Sequence, residues 1–530
     1  MYRHMKEFYL KHKRILIDIA ILIGLFLFVS ISYFIFKPLY FRSDTGFGSV
    51  DGIPAKFFIY SCILGLVIAG CILKIKGRLT FEKLLFLIFL LGVLLQLLYM
   101  LMTPYNYRQH DVNTGFNDGH DAYAWTIFST GKLPTKVDES GHLAYQFYHP
   151  PLNAFLQSLF MHIGEGVMKF INTLAGKEVY DLTNNSQALI FQTSEVLATF
   201  YMNIAIYFGV KIAYKLKVEN KFKVFASLFV CLFPALIILA GQENNDPLCV
   251  MNCFIVIYFT ICWWENSSYF NACMIGLFTG LAMMAKLSGA LIIFPAIVAF
   301  IIVFIQSIQK KESVKHIIFQ GLIIGAIAAP LGLWFHIYAK VKFNQPFGFV
   351  FSNLTHELYT GDHSFFARFI NIFDFKDLGS RLWGNTFENY NLPNFLIKSA
   401  IFGEYGFAAA DALAVFALIF HYLFTYTSLA LMIVYFIYSR KEHFEIKIIA
   451  GVLVVSQLLA QLYFNIKMPY GCTMDFRYIV PIIIGFMILD ALAADKFVKE
   501  NDWKKYLSVV TCSLGMLFIA SSSAFYLTMY

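Results

Sequence analysis

The sequence predicts an all-α membrane protein that crosses the bilayer about thirteen times, and three observations carry that expectation. Hydrophobic residues make up 59% of the 530-residue chain and charged residues only 14%. The apolar residues gather into runs of roughly 17 to 25, long enough to cross the hydrocarbon as helices. Lysine and arginine collect in every second connection between those runs, as they do where short loops stay in the cytoplasm. In lipid the backbone must satisfy its own hydrogen bonds, which makes helices of the runs.

The first two spans, Ile15 to Phe36 and Phe57 to Leu73, form an N-terminal addition over residues 1–83. The first run is long and lacks a small-residue cleavage pattern, so it reads as a retained span rather than a signal peptide. A larger block, 84–338, begins with Leu84 to Met102 and continues with Ala188 to Tyr214, Val224 to Gly241 and Pro247 to Trp264. The run from Tyr269 to Phe304 is too long for one crossing, and Lys286, Leu287, Ser288 and Gly289 divide it into a hairpin. Ile317 to Tyr338 closes this block. After an outer segment, 339–407, the C-terminal block 408–530 holds Ala409 to Tyr438, Ile449 to Phe464, Tyr478 to Ala494 and Tyr506 to Leu527.

Orientation follows from the basic turns: Arg3, Lys6, Lys11, Lys13 and Arg14, then Lys74 to Lys83, Lys211 to Lys223, Lys310 to Lys315, Arg440 to Lys447 and Lys496 to Lys505. They place the N-terminus in the cytoplasm and the long polar connections outside. The net charge of +8 is this topological bias, so the bilayer is the expected partner and no nucleic acid is. Of nine cysteines only Cys472 falls in an outer connection, which leaves it no evident disulfide partner. The sequons at Asn184, Asn266 and Asn353 are short enough to arise by chance, and Glu195 and Asp490, within or near spans, receive no catalytic role.

Two outer segments interrupt the pattern. The first, 103–187, contains RQHDVNTGFNDGHDAY and YQFYHPPL, and a connection of that length and polarity carries function more often than it merely joins two helices. Gly119 and Gly131 frame a short helix over 118–131 whose Tyr123, Trp125 and Phe128 are expected on the membrane surface. Pro150 and Pro151 predict a turn into a helix that begins at Leu152. Both helices are expected at the bilayer interface. The second segment, 339–407, mixes Asn344, Glu357, Tyr359, Asp362, His363, Arg368, Arg381, Trp383 and Glu388 with aromatic residues and reads as a lid or acceptor platform.

An acidic stretch after a span, a helix containing Tyr123, the turn Gly131 to Pro134 and His149 to Leu152 follow one another in order. Asn245, Asp246, Pro247 and Leu248 stand at the next outer turn, Gly280, Leu281, Ala282, Lys286 and Ser288 at the hairpin, and Arg477, Tyr478 and Pro481 open a late span. In these motifs, spread from Leu84 to Pro481, the chain resembles the GT-C superfamily of membrane glycosyltransferases, closest to the protein O-mannosyltransferase and lipid A aminoarabinose transferase branch. It departs from that pattern in having two spans before Leu84. It also offers three aspartates, Asp111, Asp118 and Asp121, where relatives often carry a paired Asp-Glu.

The resemblance implies transfer of one sugar from a polyprenyl-phosphate carrier to an outer-face acceptor that the sequence does not identify. An acceptor hydroxyl is a weak nucleophile, so a carboxylate must take its proton. Asp111, beside His110, is the first choice; Asp118 and Asp121 are its rivals, and each aspartate alone also reads as an ordinary loop residue. His110, His120, Tyr123, Tyr148 and His149 are expected to contact substrate, with Glu243 and Asp246 completing the acidic side or simply capping a helix. Lys286 and Arg477 are expected to hold the carrier phosphate, although a lysine at a span end also snorkels without a function. The resemblance implies work without a metal, but a divalent cation stays open, since two of Asp118, His120 and Asp121 together with His110 have the ligand types to take Mn or Mg. A multi-span transporter or lipid flippase shares the composition. It would be expected to place ionisable groups at the midplane in repeated halves, and no repeat is visible. A non-catalytic scaffold would lack a tight lipid-phosphate site.

Overall fold

The computed structural model describes residues 2–42, 49–50, 52–106, 109, 111–112, 116–182, 186–351, 358–374, 390–404 and 412–529. His110, Glu357, Arg381, Trp383, Glu388 and the sequons at Asn184 and Asn353 lie outside the described residues. The chain runs through α1 (Tyr2–Phe36), α2 (Ile53–Ile75), α3 (Phe81–Met102), α4 (His120–Thr130), α5 (Leu152–Ala175), α6 (Ser186–Gln192) and α7 (Glu195–Lys215). It continues through α8 (Asn220–Leu232), α9 (Pro234–Ile238), α10 (Asp246–Glu265), α11 (Tyr269–Ala285), α12 (Ile293–Gln309) and α13 (Lys315–Phe343). The last helices are α14 (Phe365–Phe369), α15 (Leu392–Phe402), α16 (Ala412–Tyr438), α17 (Phe444–Lys467), α18 (Ile482–Phe497) and α19 (Trp503–Thr528). A two-residue antiparallel pairing, Phe41–Arg42 with Ser49–Val50, follows α1.

Ten of the described helices are long and apolar enough to cross a membrane, and twelve if each of two bent pairs, Asn220–Leu232 with Pro234–Gly241 and Gly471–Ile479 with Ile482–Phe497, makes one span. The thirteenth expected crossing corresponds to α11, which falls just short at 17 residues. Both bends coincide with a proline that cannot continue the helix before it, Pro234 and Pro481.

Burial separates an inner from an outer set of spans. Helices α10 and α18 are buried along most of their length, whereas α2 buries only Ala55 and Ile59 and turns Phe57, Leu64, Val67 and Ile72 outward. An apolar face of that kind belongs against acyl chains.

The two helices of the first outer segment form where the sequence puts them. Helix α4 starts after Gly119 and ends at Gly131 in the left-handed conformation. Helix α5 starts at Leu152, facing Asn153 and Gln157 inward and Phe155, Leu159, Ile163, Phe170 and Leu174 outward. Tyr123 departs from expectation: it is buried rather than spread on a membrane surface, because its hydroxyl donates to the carbonyl of His149 at 3.2 Å. In the second outer segment, α15 is a buried helix packed near α9 and α16, and Asn391 caps it by accepting from the Asn394 N–H at 3.0 Å.

Candidate active site

The polar connection after α3 is pinned from behind. Lys37, at the end of α1, donates to the carbonyls of Met100 and Thr103 at 2.5 and 2.6 Å and forms a fully buried ion pair with Glu195 at the start of α7. Gln109 accepts the backbone N–H of Glu243 at 3.1 Å and donates to the carbonyl of Tyr105. The next turn closes tightly, with the His120 N–H donating to the Asp111 carbonyl at 2.8 Å. A side chain at Gly119 would bring its Cβ within 2.7 Å of that same carbonyl, so the close approach requires glycine.

The turn between α9 and α10 is braced by α5: Asn153 donates to the Asn244 carbonyl at 3.1 Å and Gln157 to the Glu243 carbonyl at 3.2 Å. Asn244 in turn accepts the Asp246 N–H at 3.0 Å, which fixes Asp246 in the first turn of α10. Opposite, Lys286 adopts an extended backbone between α11 and the 3₁₀ turn Leu287–Ile292. A Cβ at Gly289 would lie 2.6 Å from the Ala282 backbone, so this turn folds directly onto α11. The HPPL helix, the Asn-Asp turn and the lysine hairpin thus support one another.

Five segments distant in sequence converge there. The Lys286 ammonium lies 2.5 Å from one oxygen of Asp246, and the Arg477 guanidinium lies 3.7 Å from the other. Arg477 also contacts Asp111 at 2.7 Å and Glu404 at 2.6 Å. The Tyr478 ring sits under both cations, 4.4 Å from the ammonium and 5.1 Å from the guanidinium carbon. Asp475 accepts the Arg477 backbone N–H at 2.7 Å, and the adjoining Phe476 N–H donates to Ser399 of α15 at 2.9 Å, which ties the arginine turn to the second outer segment. The second oxygen of Asp111 accepts from Gln146 at 3.3 Å.

Burial alone would raise the Asp111 carboxyl, but Arg477, with His120 and Lys286 behind it, holds it below the ordinary carboxylate range. His120 stacks on His149 with ring centres 5.6 Å apart. Burial pushes His120 down to about 4 against the pull of Asp111 and Asp246. His149 is lowered as well, by burial and then by His120 and Lys286. Two neutral imidazoles therefore flank an ionised carboxylate at neutral pH.

The predicted residues divide cleanly. Asp111, Asp118, His120, Tyr148, His149, Asp246, Lys286, Arg477 and Tyr478 all line one cavity of about 1700 Å³. Three others do not. Asp121 is fully buried near Tyr105 and Glu243, whose charges it influences. Tyr123 holds the His149 backbone from behind. Glu243, expected on the acidic side of the pocket, instead accepts from Ser194 and, at 3.4 Å, from Gln157 in the interior, where burial and then Glu195 raise its carboxyl. His110, the fixed member of the possible ligand set, lies outside the described residues, and among the described residues no three His, Cys, Asp or Glu side chains are grouped to hold a metal ion. Glu404 and Gln146 join the site without having been anticipated.

Beyond its polar end the cavity becomes a groove lined by Leu291, Phe294 and Val298 near and on α12, Met432, Ile433 and Phe436 on α16, and Ile448 to Phe464 on α17. That stretch of α17 spans about 24 Å at 1.5 Å per residue, most of the hydrocarbon thickness of about 30 Å. Phe294, Ile433, Val455, Leu459 and Tyr463 of its lining are exposed, so among the described residues the groove is not covered by other helices. Phe349 and Phe351 of the second outer segment line the polar end beside Tyr145 and Tyr148.

The resemblance read from the motifs agrees with a family model described as dolichyl-phosphate-mannose-protein mannosyltransferase, which matches residues 179–334. Among solved structures the chain is similar to ArnT from Cupriavidus metallidurans bound to undecaprenyl phosphate, at 12% identity and TM-score 0.45, covering 84% of this chain and 76% of that one. It is similar also to the apo state of that protein, at 11% identity and TM-score 0.47, covering 84% and 75%. No curated protein matches the sequence.

Proposed function

We propose that this chain is a GT-C-type membrane glycosyltransferase that moves a single sugar from a polyprenyl-phosphate carrier to an acceptor on the extracytoplasmic face. One observation carries the reading: an apolar groove nearly as long as a bilayer is thick ends at two cations, Lys286 and Arg477, with the Asp111 carboxylate in contact with the second. A water-soluble sugar donor has no use for such a groove, whereas a prenyl chain fills it and brings its phosphate to the cations. The lysine-rich turns lie at the other ends of the adjoining spans, which supports an outer location for the site.

In this mechanism Lys286 and Arg477 bind the carrier phosphate and offset the charge that grows on it as its bond to C1 of the sugar breaks. Asp111 takes the proton of the acceptor as the acceptor atom bonds to C1 from the opposite side. Direct displacement inverts the anomeric centre. His120 and His149, both neutral, offer hydrogen bonds to the sugar. Phe349 and Phe351, at the polar end of the cavity, serve as part of a lid or acceptor platform.

The test is to offer the purified protein a panel of prenyl-phosphate sugars and an acceptor extract. Release of prenyl phosphate coupled to sugar transfer is expected from one of them. Movement of intact lipid between the leaflets of vesicles, with no release from any donor, would replace the enzyme with a flippase.

A further inference from the structure

The contacts of Arg477 are unequal in a way that bears on how a donor binds. Glu404 reaches Nη2 at 2.6 Å with a side chain only 1% exposed, while Asp111 reaches Nη1 at 2.7 Å with a side chain 24% exposed. Both line the cavity, but Asp111 is reached from it more readily. Nη2 also donates to the Tyr478 hydroxyl at 3.2 Å, and Nε has no hydrogen-bond partner among the described residues. The guanidinium is therefore anchored on one side and exchangeable on the other.

Charge sets the direction of the argument. Among the described residues three carboxylates, Asp111, Asp246 and Glu404, touch two cations, Lys286 and Arg477, and that set is net negative. A phosphate added to it as it stands would meet repulsion in a largely desolvated space, where like charges interact strongly. It binds well only where one carboxylate gives up its place. Glu404, with its side chain 1% exposed, has no comparable exit, and separating it from Arg477 would break a buried ion pair, which is costly. Asp111 has a route out into the cavity, and Gln146 at 3.3 Å offers it a hydrogen bond as it leaves.

We infer, resting on the donor reading above, that Asp111 and the carrier phosphate are alternative counter-ions for Nη1 of Arg477, with Glu404 staying in place as the positioning residue that presents the guanidinium to either. Donor binding then sets the order of events. Before it, Asp111 is held by arginine and is a weak base. Once phosphate takes Nη1, the carboxylate loses the cation that stabilises its ionised form and becomes more basic beside the sugar it is to serve. The base is switched on by the arrival of the leaving group.

The experiment titrates farnesyl phosphate into the purified full chain and its Asp111→Asn variant by calorimetry. An internal competitor lowers apparent affinity by the fraction of sites it occupies, so the variant is expected to bind at least about fivefold more tightly than wild type. Equal or weaker binding by a variant that still elutes and melts as wild type does would overturn the exchange while leaving the donor reading standing. No binding by wild type would remove the donor reading, and the exchange with it. A structure of the wild-type complex gives an answer independent of the variant: Asp111 should have left Arg477 with Glu404 still attached, and an unbroken Asp111–Arg477 pair contradicts the inference.

Discussion

Asp246 stands between Lys286 and Arg477, one carboxylate oxygen 2.5 Å from the ammonium and the other 3.7 Å from the guanidinium. The two cations come from segments 191 positions apart (477 − 286 = 191), and this carboxylate bridges them. Their contributions to phosphate binding should therefore be coupled. Arg477→Ala is expected to weaken prenyl-phosphate binding by about tenfold or more, as the loss of a charge-assisted hydrogen bond does. Lys286→Met should do the same, and the double variant should lose less than the product of the two. An Arg477→Ala protein with wild-type affinity would remove the guanidinium from the clamp.

If Asp111 is the proton acceptor, as proposed, Asp111→Asn should lower sugar transfer by about a hundredfold or more. Asp118→Asn should retain most of the turnover. Initial rates on any accepted donor decide it, and the reverse ranking would move the base to Asp118.

Acid should weaken the fold through His120. Its folded pKa of about 4 lies below the ordinary 6.5, so the unfolded chain binds the proton more readily. The stability it contributes is complete above pH 6.5 and is lost as pH falls towards 4, by about 2 to 3 kcal/mol. Melting temperature across that window should fall for wild type and fall less for His120→Gln. Parallel curves would show that His120 is not the group responsible.

The pair of Lys37 and Glu195 is fully buried, and removing one member leaves a stranded charge. Lys37→Met should cost about 3 to 5 kcal/mol, and Lys37→Met with Glu195→Leu should recover much of it. Thermal melts in one detergent check both. A single variant as stable as wild type would show that Glu195 is neutral in the fold.

Gly289→Val should displace the lysine hairpin, because its Cβ would lie 2.6 Å from the Ala282 backbone. The expected result is a raised KM for the donor with the protein still folded. Unchanged kinetics would mean that the hairpin can shift without carrying Lys286 along.

Much of this was readable from local chemistry. Apolar runs gave the spans, paired prolines gave the start of α5, and Lys286 and Arg477 stood out because charge at a span end is conspicuous. Glu404 was not readable: it is one acidic residue after a glycine, and its value lies wholly in a contact with a residue 73 positions later (477 − 404 = 73). Tyr123, Asp121 and Glu243 lie off the cavity for the same reason seen from the other side. Their neighbourhood in sequence is polar, yet tertiary packing turns Tyr123 towards the His149 backbone and the two carboxyls towards the interior. Sequence marks which residues are chemically able, whereas the choice between facing a cavity and facing the core is made by partners far along the chain.

If the groove between α12, α16 and α17 takes a prenyl chain, as proposed, that substrate does not have to enter water to reach Lys286 and Arg477. Its supply is then governed by how many carriers occupy each unit of membrane area, so rates measured in micelles should scale with mole fraction in the amphiphile rather than with molar concentration. Detergent tails of similar girth are themselves competitors, and a preparation that looks inactive in one surfactant can regain turnover in another.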